Sequence, residues 1–162
     1  WVAGKELDNL DEKNLALFRK QYIGIIFQSF HLIPTMTALE NVAIPLELAG
    51  QRKAFENAKK MLNYVGLSTR TGHYPMQLSG GEQQRVAIAR AFILQPSLIL
   101  ADEPTGNLDS ETGTIIIDTL FDMQETRNTT LVFITHDNLL ASRCDRIVQM
   151  QDGLLLRNER EC

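Results

Sequence analysis

Leu98-Ile99-Leu100-Ala101-Asp102-Glu103 is four apolar residues running into two acids. Pro96 and Asp102 bound the run, so Ser97 to Ala101 reads as a short buried strand that ends in carboxylates. In open α/β sheets, ligands bind beyond the carboxyl ends of the strands. An Asp there suits Mg²⁺, which takes one or two carboxylates together with water and phosphate oxygens. A neighbouring acid can accept a proton from an attacking water. The same hexapeptide also describes a strand that merely enters an acidic turn, so its chemistry depends on its neighbours.

Three further apolar runs read as strands: Tyr22 to Phe27, Thr129 to Ile134 and Arg146 to Met150. Asp152-Gly153 then predicts a hairpin turn into Leu154-Leu155-Leu156. Helical patterns lie between the runs, at Leu39–Leu48 (with Pro45 inside), Ala54–Val65, Ser79–Leu94 and Ser110–Arg127. Alternation of this kind predicts an α/β domain with a mainly parallel sheet. The stretch from about 34 to 78 holds no strand pattern and reads as a helical insert.

The bulk properties fit a globular core: 44% hydrophobic, 22% charged, net charge −4 over 162 residues. A mildly acidic chain argues against a general nucleic-acid binder, which shows a basic field. Cys144 and Cys162 lie outside any metal-ligand spacing, and two distant cysteines do not suggest a disulfide framework. No apolar run reaches the ~20 residues of a membrane-spanning helix.

Leu78-Ser79-Gly80-Gly81-Glu82-Gln83-Gln84-Arg85 carries an S-x-x-E capping box at Ser79 and Glu82, which marks a helix start. The box leaves two glycines unexplained. Glycine lets backbone N–H groups approach an anion, and a helix N-terminus favours a phosphate. Cap and anion site are compatible readings of these residues. The run from Val86 to Leu94 reads as core, with Arg85 and Arg90 as polar interruptions. His136 follows the strand that ends at Ile134, and Gln28 follows the strand that ends at Phe27. Each alone is an ordinary loop residue. Three strands ending in Gln28, Asp102-Glu103 and His136 form a constellation.

Taken in order, these residues resemble the ABC ATPase family along nearly the whole chain. Leu78 to Gln84 resembles its signature motif, and Leu98 to Asp102 its Walker B strand, with Glu103 in the place of the catalytic base. Asn107-Leu108-Asp109 is similar to the D-loop, His136 to the switch histidine and Gln28 to the Q-loop glutamine. Phe27 to Thr35, Glu40-Asn41-Val42 and Asp102 to Asp109 narrow the resemblance to the ATPases of lipoprotein release, macrolide export and the cell-division system.

The resemblance implies a P-loop NTPase-like core with a helical subdomain at about 34–90, in one domain spanning 1–162. It implies ATP and Mg²⁺ as ligands, with Asp102 and Gln28 on the metal side. Glu103 is the implied base, and His136 steadies the γ-phosphate. Ser79, Gly80, Gly81 and Glu82 are implied to face the nucleotide held by a second ATPase domain, packed head to tail, and Asp109 to link the two sites. A transmembrane permease is the other implied partner, met by the 28–37 loop and by Tyr74-Pro75-Met76-Gln77. The expected location is the cytoplasmic face of the membrane, with no nucleic-acid partner.

The sequence departs from the family in one respect. Its only Gly-Lys pair is Gly4-Lys5, followed by Glu6, so it contains no G-x-x-x-x-G-K-[ST] phosphate loop. Truncation and degeneration both account for that; the start at Trp1 and the intact Glu103 and His136 favour truncation. On that reading the chain alone is expected to be inactive, loosely packed or poorly soluble. Two other functions compete with a transporter ATPase. A nucleic-acid or translation machine shares these motifs, but repair and chromosome members carry a long coiled coil or zinc module, and no heptads or cysteines lie between Gln28 and Leu78. A non-catalytic fragment that binds a partner without turnover is the third.

Overall fold

The computed structural model describes residues 1–156. Its centre is a three-stranded parallel sheet in the order β1-β2-β3, built from Ile23–Ile26, Leu98–Asp102 and Thr130–Ile134. The register aligns Gly24, Ile99 and Leu131 in one row and Ile26, Ala101 and Phe133 in another. Those rows face the helices, and Ile26, Ile99 and Ala101 are wholly buried. The opposite face of the sheet leaves Ile25, Val132 and Ile134 exposed. The expected α/β class with a parallel sheet is what is observed.

The helices are α1 (Glu12–Tyr22), α2 (Ala38–Leu48), α3 (Ala54–Tyr64), α4 (Gly80–Phe92), α5 (Ser110–Arg127) and the short α6 (Asn138–Ser142). α2 packs on α3 and α4, while α4 also lies against β1 and α5. This puts α4 at the centre of the core, and Val86, Ile88, Ala89 and Phe92 are fully buried. At Gly24 a β-carbon would meet the carbonyl of Ala91 at 2.6 Å, so this glycine allows helix and strand to touch. Thr37 and Glu40 form a reciprocal capping box at the start of α2. The helix runs through Pro45, which has no N–H to donate to it.

Some expectations need correction. Tyr22 belongs to the end of α1, a helix the apolar pattern did not reveal, so β1 begins at Ile23. The run Arg146 to Met150 does not join the sheet. Only Met150–Gln151 (β4) is extended, and it pairs with Leu154–Leu155 (β5) across the Asp152-Gly153 turn. Asp152 and Gly153 both have positive φ, as a tight hairpin demands. Val148 and Met150 remain exposed. An apolar run becomes a sheet strand only if an edge accepts it, and among the described residues neither edge of the sheet pairs with this one. Cys144 is a half-buried free thiol, and Cys162 lies outside the described residues.

Candidate functional site

The carboxyl ends of β2 and β3 meet at Glu103 and His136. The His136 ring Nδ1 lies 2.6 Å from Glu103 Oε1, and the His136 backbone N–H donates to the same oxygen at 3.0 Å. Thr135 Oγ1 donates to Glu103 Oε2. The glutamate is held on both oxygens and is 22% exposed at its side chain, whereas the histidine is 88% exposed. With Nδ1 directed at the carboxylate, Nε2 is the ring nitrogen left for a ligand. Asp102 is the last residue of β2, and its exposed carboxylate has no hydrogen-bond partner among the described residues.

Glu103 has a positive φ of 43°. Left-handed backbone is unfavourable for a residue with a β-carbon, and more so before proline. Its N–H donates to Ile134 O at 2.9 Å and its carbonyl accepts from Gly106 N–H at 3.1 Å. Those two bonds turn the chain sharply and direct the side chain back toward β3.

Gln28 leaves β1 next to this turn. Its carbonyl accepts from Asn107 Nδ2 at 3.0 Å, and its Nε2 contacts Asn107 Oδ1 at 3.4 Å. A β-carbon on Gly106 would lie 2.6 Å from Gln28 Nε2, so glycine gives the amide its place. After Gln28 come two consecutive left-handed residues, Phe30 and His31. Arg90 of α4 holds them, donating to Phe30 O at 2.9 Å and His31 O at 2.7 Å. Burial lowers the pKa of its guanidinium. What reads in sequence as a polar interruption is a clamp on the loop after Gln28.

The signature turn has a different construction. Ser79 Oγ accepts from Glu82 N–H, and Glu82 Oε2 accepts from Ser79 N–H. Glu82 Oε1 also accepts from Arg70 Nε at 2.8 Å. The Ser79 N–H and the Arg70 guanidinium hold its carboxyl below the usual range. Both glycines have a packing role: a β-carbon at Gly81 would run into the Thr112 methyl, and one at Gly80 would lie 3.2 Å from Leu108. Asp109 caps α5, accepting from Thr112 N–H at 2.9 Å and Thr112 Oγ1 at 2.7 Å, and these bonds lower its pKa. The signature glycines and the start of α5 therefore lie in contact within one chain.

Pro75–Gln77 forms a single 3-10 turn, with Pro75 buried and Met76 fully outward. Sequence reasoning assigned no side-chain role to Arg90, Asn107, Thr135 or two buried amides, Asn41 and Gln84, although Asn107, Asn41 and Gln84 lie within its motifs. Asn41 joins Ile33, Met36 and Thr37 through its side chain. The readable signal is a polar residue on the apolar face of a helix. No helix among the described residues is long and apolar enough to cross a membrane.

Comparison with known proteins bears on the same residues. A profile of the family described as "ABC transporter" matches residues 1–106. The chain is 50% identical over 156 residues to YbbA of Escherichia coli K12, an uncharacterized ABC transporter ATP-binding protein, covering 95% of this chain and 68% of that one. It is 49% identical over 160 residues to the lipoprotein-releasing system ATP-binding protein LolD of Shewanella denitrificans, covering 98% and 69% respectively. Among solved structures it resembles the dimeric, post-hydrolysis state of the ATP-binding cassette MJ0796 bound to ADP and Pi, with a TM-score of 0.86 and 40% identity over 99% of this chain and 72% of that one. With this identity along nearly its whole length, the chain belongs to the ABC transporter family and has the fold of its ATP-binding domain.

Proposed function

We propose that this chain carries the hydrolytic half-sites of an ATPase subunit that energises an ABC membrane transporter of the export or lipoprotein-release type. The observation that carries this reading is the contact of Glu103 with His136 at the ends of adjacent strands, beside the exposed carboxylate of Asp102, unpartnered among the described residues. Glu103 is a carboxylate poised to accept a proton from water. His136, exposed through Nε2, is suited to donate to a γ-phosphate oxygen. Asp102 and Gln28 offer the hard oxygen donors that Mg²⁺ takes. A bound Mg²⁺ would neutralise charge that develops on the phosphate oxygens.

Ser79 and Gly80 open the N-terminus of α4 to solvent, with Gly81 buried just behind them, and a helix start of this kind suits the nucleotide of a second ATPase domain. Glu82 fixes that turn. Asp109 acts at the same junction as the cap of α5 rather than as a free carboxylate. The 28–37 loop and the outward Met76 form the side we assign to a permease, placing the subunit at the inner membrane face. We take 1–162 as one domain, with 34–90 as its helical part.

The test is Glu103→Gln in the full-length gene product. ATP binding is expected to persist while turnover falls by about 10²–10⁴-fold, the usual worth of a general base. Turnover near the parent value rules Glu103 out as the base. A second reading, a binding unit without turnover, is favoured by one observation: the sequence has no G-x-x-x-x-G-K-[ST] loop. The Glu103→Gln comparison separates the two, and titration calorimetry of Mg-ATP into this 162-residue chain asks whether the phosphates need that loop. No heat of binding is expected; micromolar binding would mean that the phosphates are held without that loop.

A further inference from the structure

Gln84 lies one turn beyond Gly80 on α4, and its side chain is completely buried. Its Nε2 donates to the carbonyl of Pro104 at 2.6 Å, across 20 positions of sequence. Because a carbonyl can only accept, this bond fixes which way the amide faces. The other end, Oε1, is buried with no partner among the described residues. A half-satisfied buried amide is worse for stability than an apolar side chain of the same size. Stability alone therefore gives no reason for Gln here, and the bond to Pro104 does.

Pro104 follows Glu103, whose left-handed backbone is disfavoured in itself and again by the proline after it. Such a conformation persists only where its surroundings hold it. Ile134 O and Gly106 N–H hold one side of the turn. The other side is held by Gln84. One turn earlier on the same helix, Gly80 lies against Leu108 and Gly81 against Thr112 in the first turn of α5, so α4 grips the loop between β2 and α5 near its beginning and near its end.

We propose that Gln84 is a positioning residue for Glu103. It anchors the Pro104 carbonyl, and with it the turn that keeps the Glu103 carboxylate against His136. Resting on the ATPase reading above, this makes α4 a rigid link in each chain. The link runs between the signature turn, which faces the partner domain's nucleotide, and the base that serves the chain's own.

The test uses Gln84→Met in the full-length gene product, a change of similar volume that removes the donor. Amide hydrogen exchange at Glu103, Gly106 and Leu108 is expected to accelerate about tenfold, the factor for one buried hydrogen bond, while Leu131 to Phe133 exchange as before. In the same protein kcat should fall roughly tenfold with KM within about twofold. Gln84→Glu supplies the rescue: a protonated carboxyl can donate to Pro104 O, so its turnover should approach the parent's as pH is lowered. Unchanged exchange at those three amides in Gln84→Met overturns the proposal, whatever happens to the melting temperature. So does a Gln84→Glu deficit that is the same at every pH. If exchange rises but the parent protein never hydrolyses ATP, the clasp stands and the ATPase reading falls.

Discussion

At the signature turn the side chains of Ser79, Glu82 and Asp109 are all engaged inside the chain, as caps or ion pairs. Both glycines there are pressed against Leu108 and Thr112. At the strand ends the situation is reversed. Asp102 has no internal partner among the described residues, and the His136 side chain is almost fully exposed beyond its ring contact with Glu103. The first region would be selected for folding even if it bound nothing. The second gives the fold little in return for an exposed imidazole and a carboxylate facing water. Motif residues thus differ in what their presence implies: at the strand ends they imply chemistry, and at the turn they imply structure first.

The contrast breaks most visibly at His136. His136→Ala in the full-length gene product should reduce turnover by about 10²-fold and leave the melting temperature within a degree or two. A large loss of stability would show that this end of the site is structural as well. Next comes Asn41→Ala, which removes the acceptor for Ile33 N–H and donors to three carbonyls in a buried site. It should cost about 2–4 kcal/mol in denaturant unfolding, because several buried groups lose partners at once.

Gly81→Ala sharpens the contrast. It should cost about 1–3 kcal/mol by overpacking against the Thr112 methyl. Thr112→Ser in the same chain should restore most of that, because it removes the methyl and keeps the hydroxyl for Asp109. A Gly81→Ala protein as stable as the parent would mean that this glycine is there for a ligand alone. Ser79→Ala, measured without nucleotide, should cost about 1 kcal/mol as a lost N-cap.

The smallest effect is in pH. Glu82 has a lowered pKa in the folded chain, so its contribution is complete above the ordinary glutamate value of about 4.3 and disappears as pH falls through the lower folded value. Glu82→Gln should flatten the acid limb of a stability-against-pH curve. An unchanged limb would show that the charge of Glu82, held by the Ser79 N–H and by Arg70, contributes nothing.

Much of this could be read from residues. Helix α5 runs from Ser110 to Arg127, where its cap and its apolar spacing put it. Strands β2 and β3 follow from short apolar runs bounded by turns, although only β2 has fully buried residues. Gln28, Asp102-Glu103 and His136 were recognisable because a parallel sheet brings strand ends together, and strand ends are visible in sequence. Helix α1 was not legible, since only Phe18 on it is buried and its apolar pattern is thin. Nor could Arg146 to Gln149 be excluded as a strand, because pairing depends on which edge is free.

By itself the sequence determined the periodicities, the caps and the order of the motifs, because these depend on neighbours a few residues away. It did not determine what Arg90, Asn41 and Gln84 do. Each is a polar residue in an apolar pattern, and its partner lies 20 or 60 positions away, or around a loop bend. Only the tertiary structure decides which backbone carbonyl meets a buried amide or guanidinium. It decided also that the left-handed turns at Phe30-His31 and Glu103 are held by one helix, since strain in a loop survives only where packing from elsewhere in the chain opposes its release.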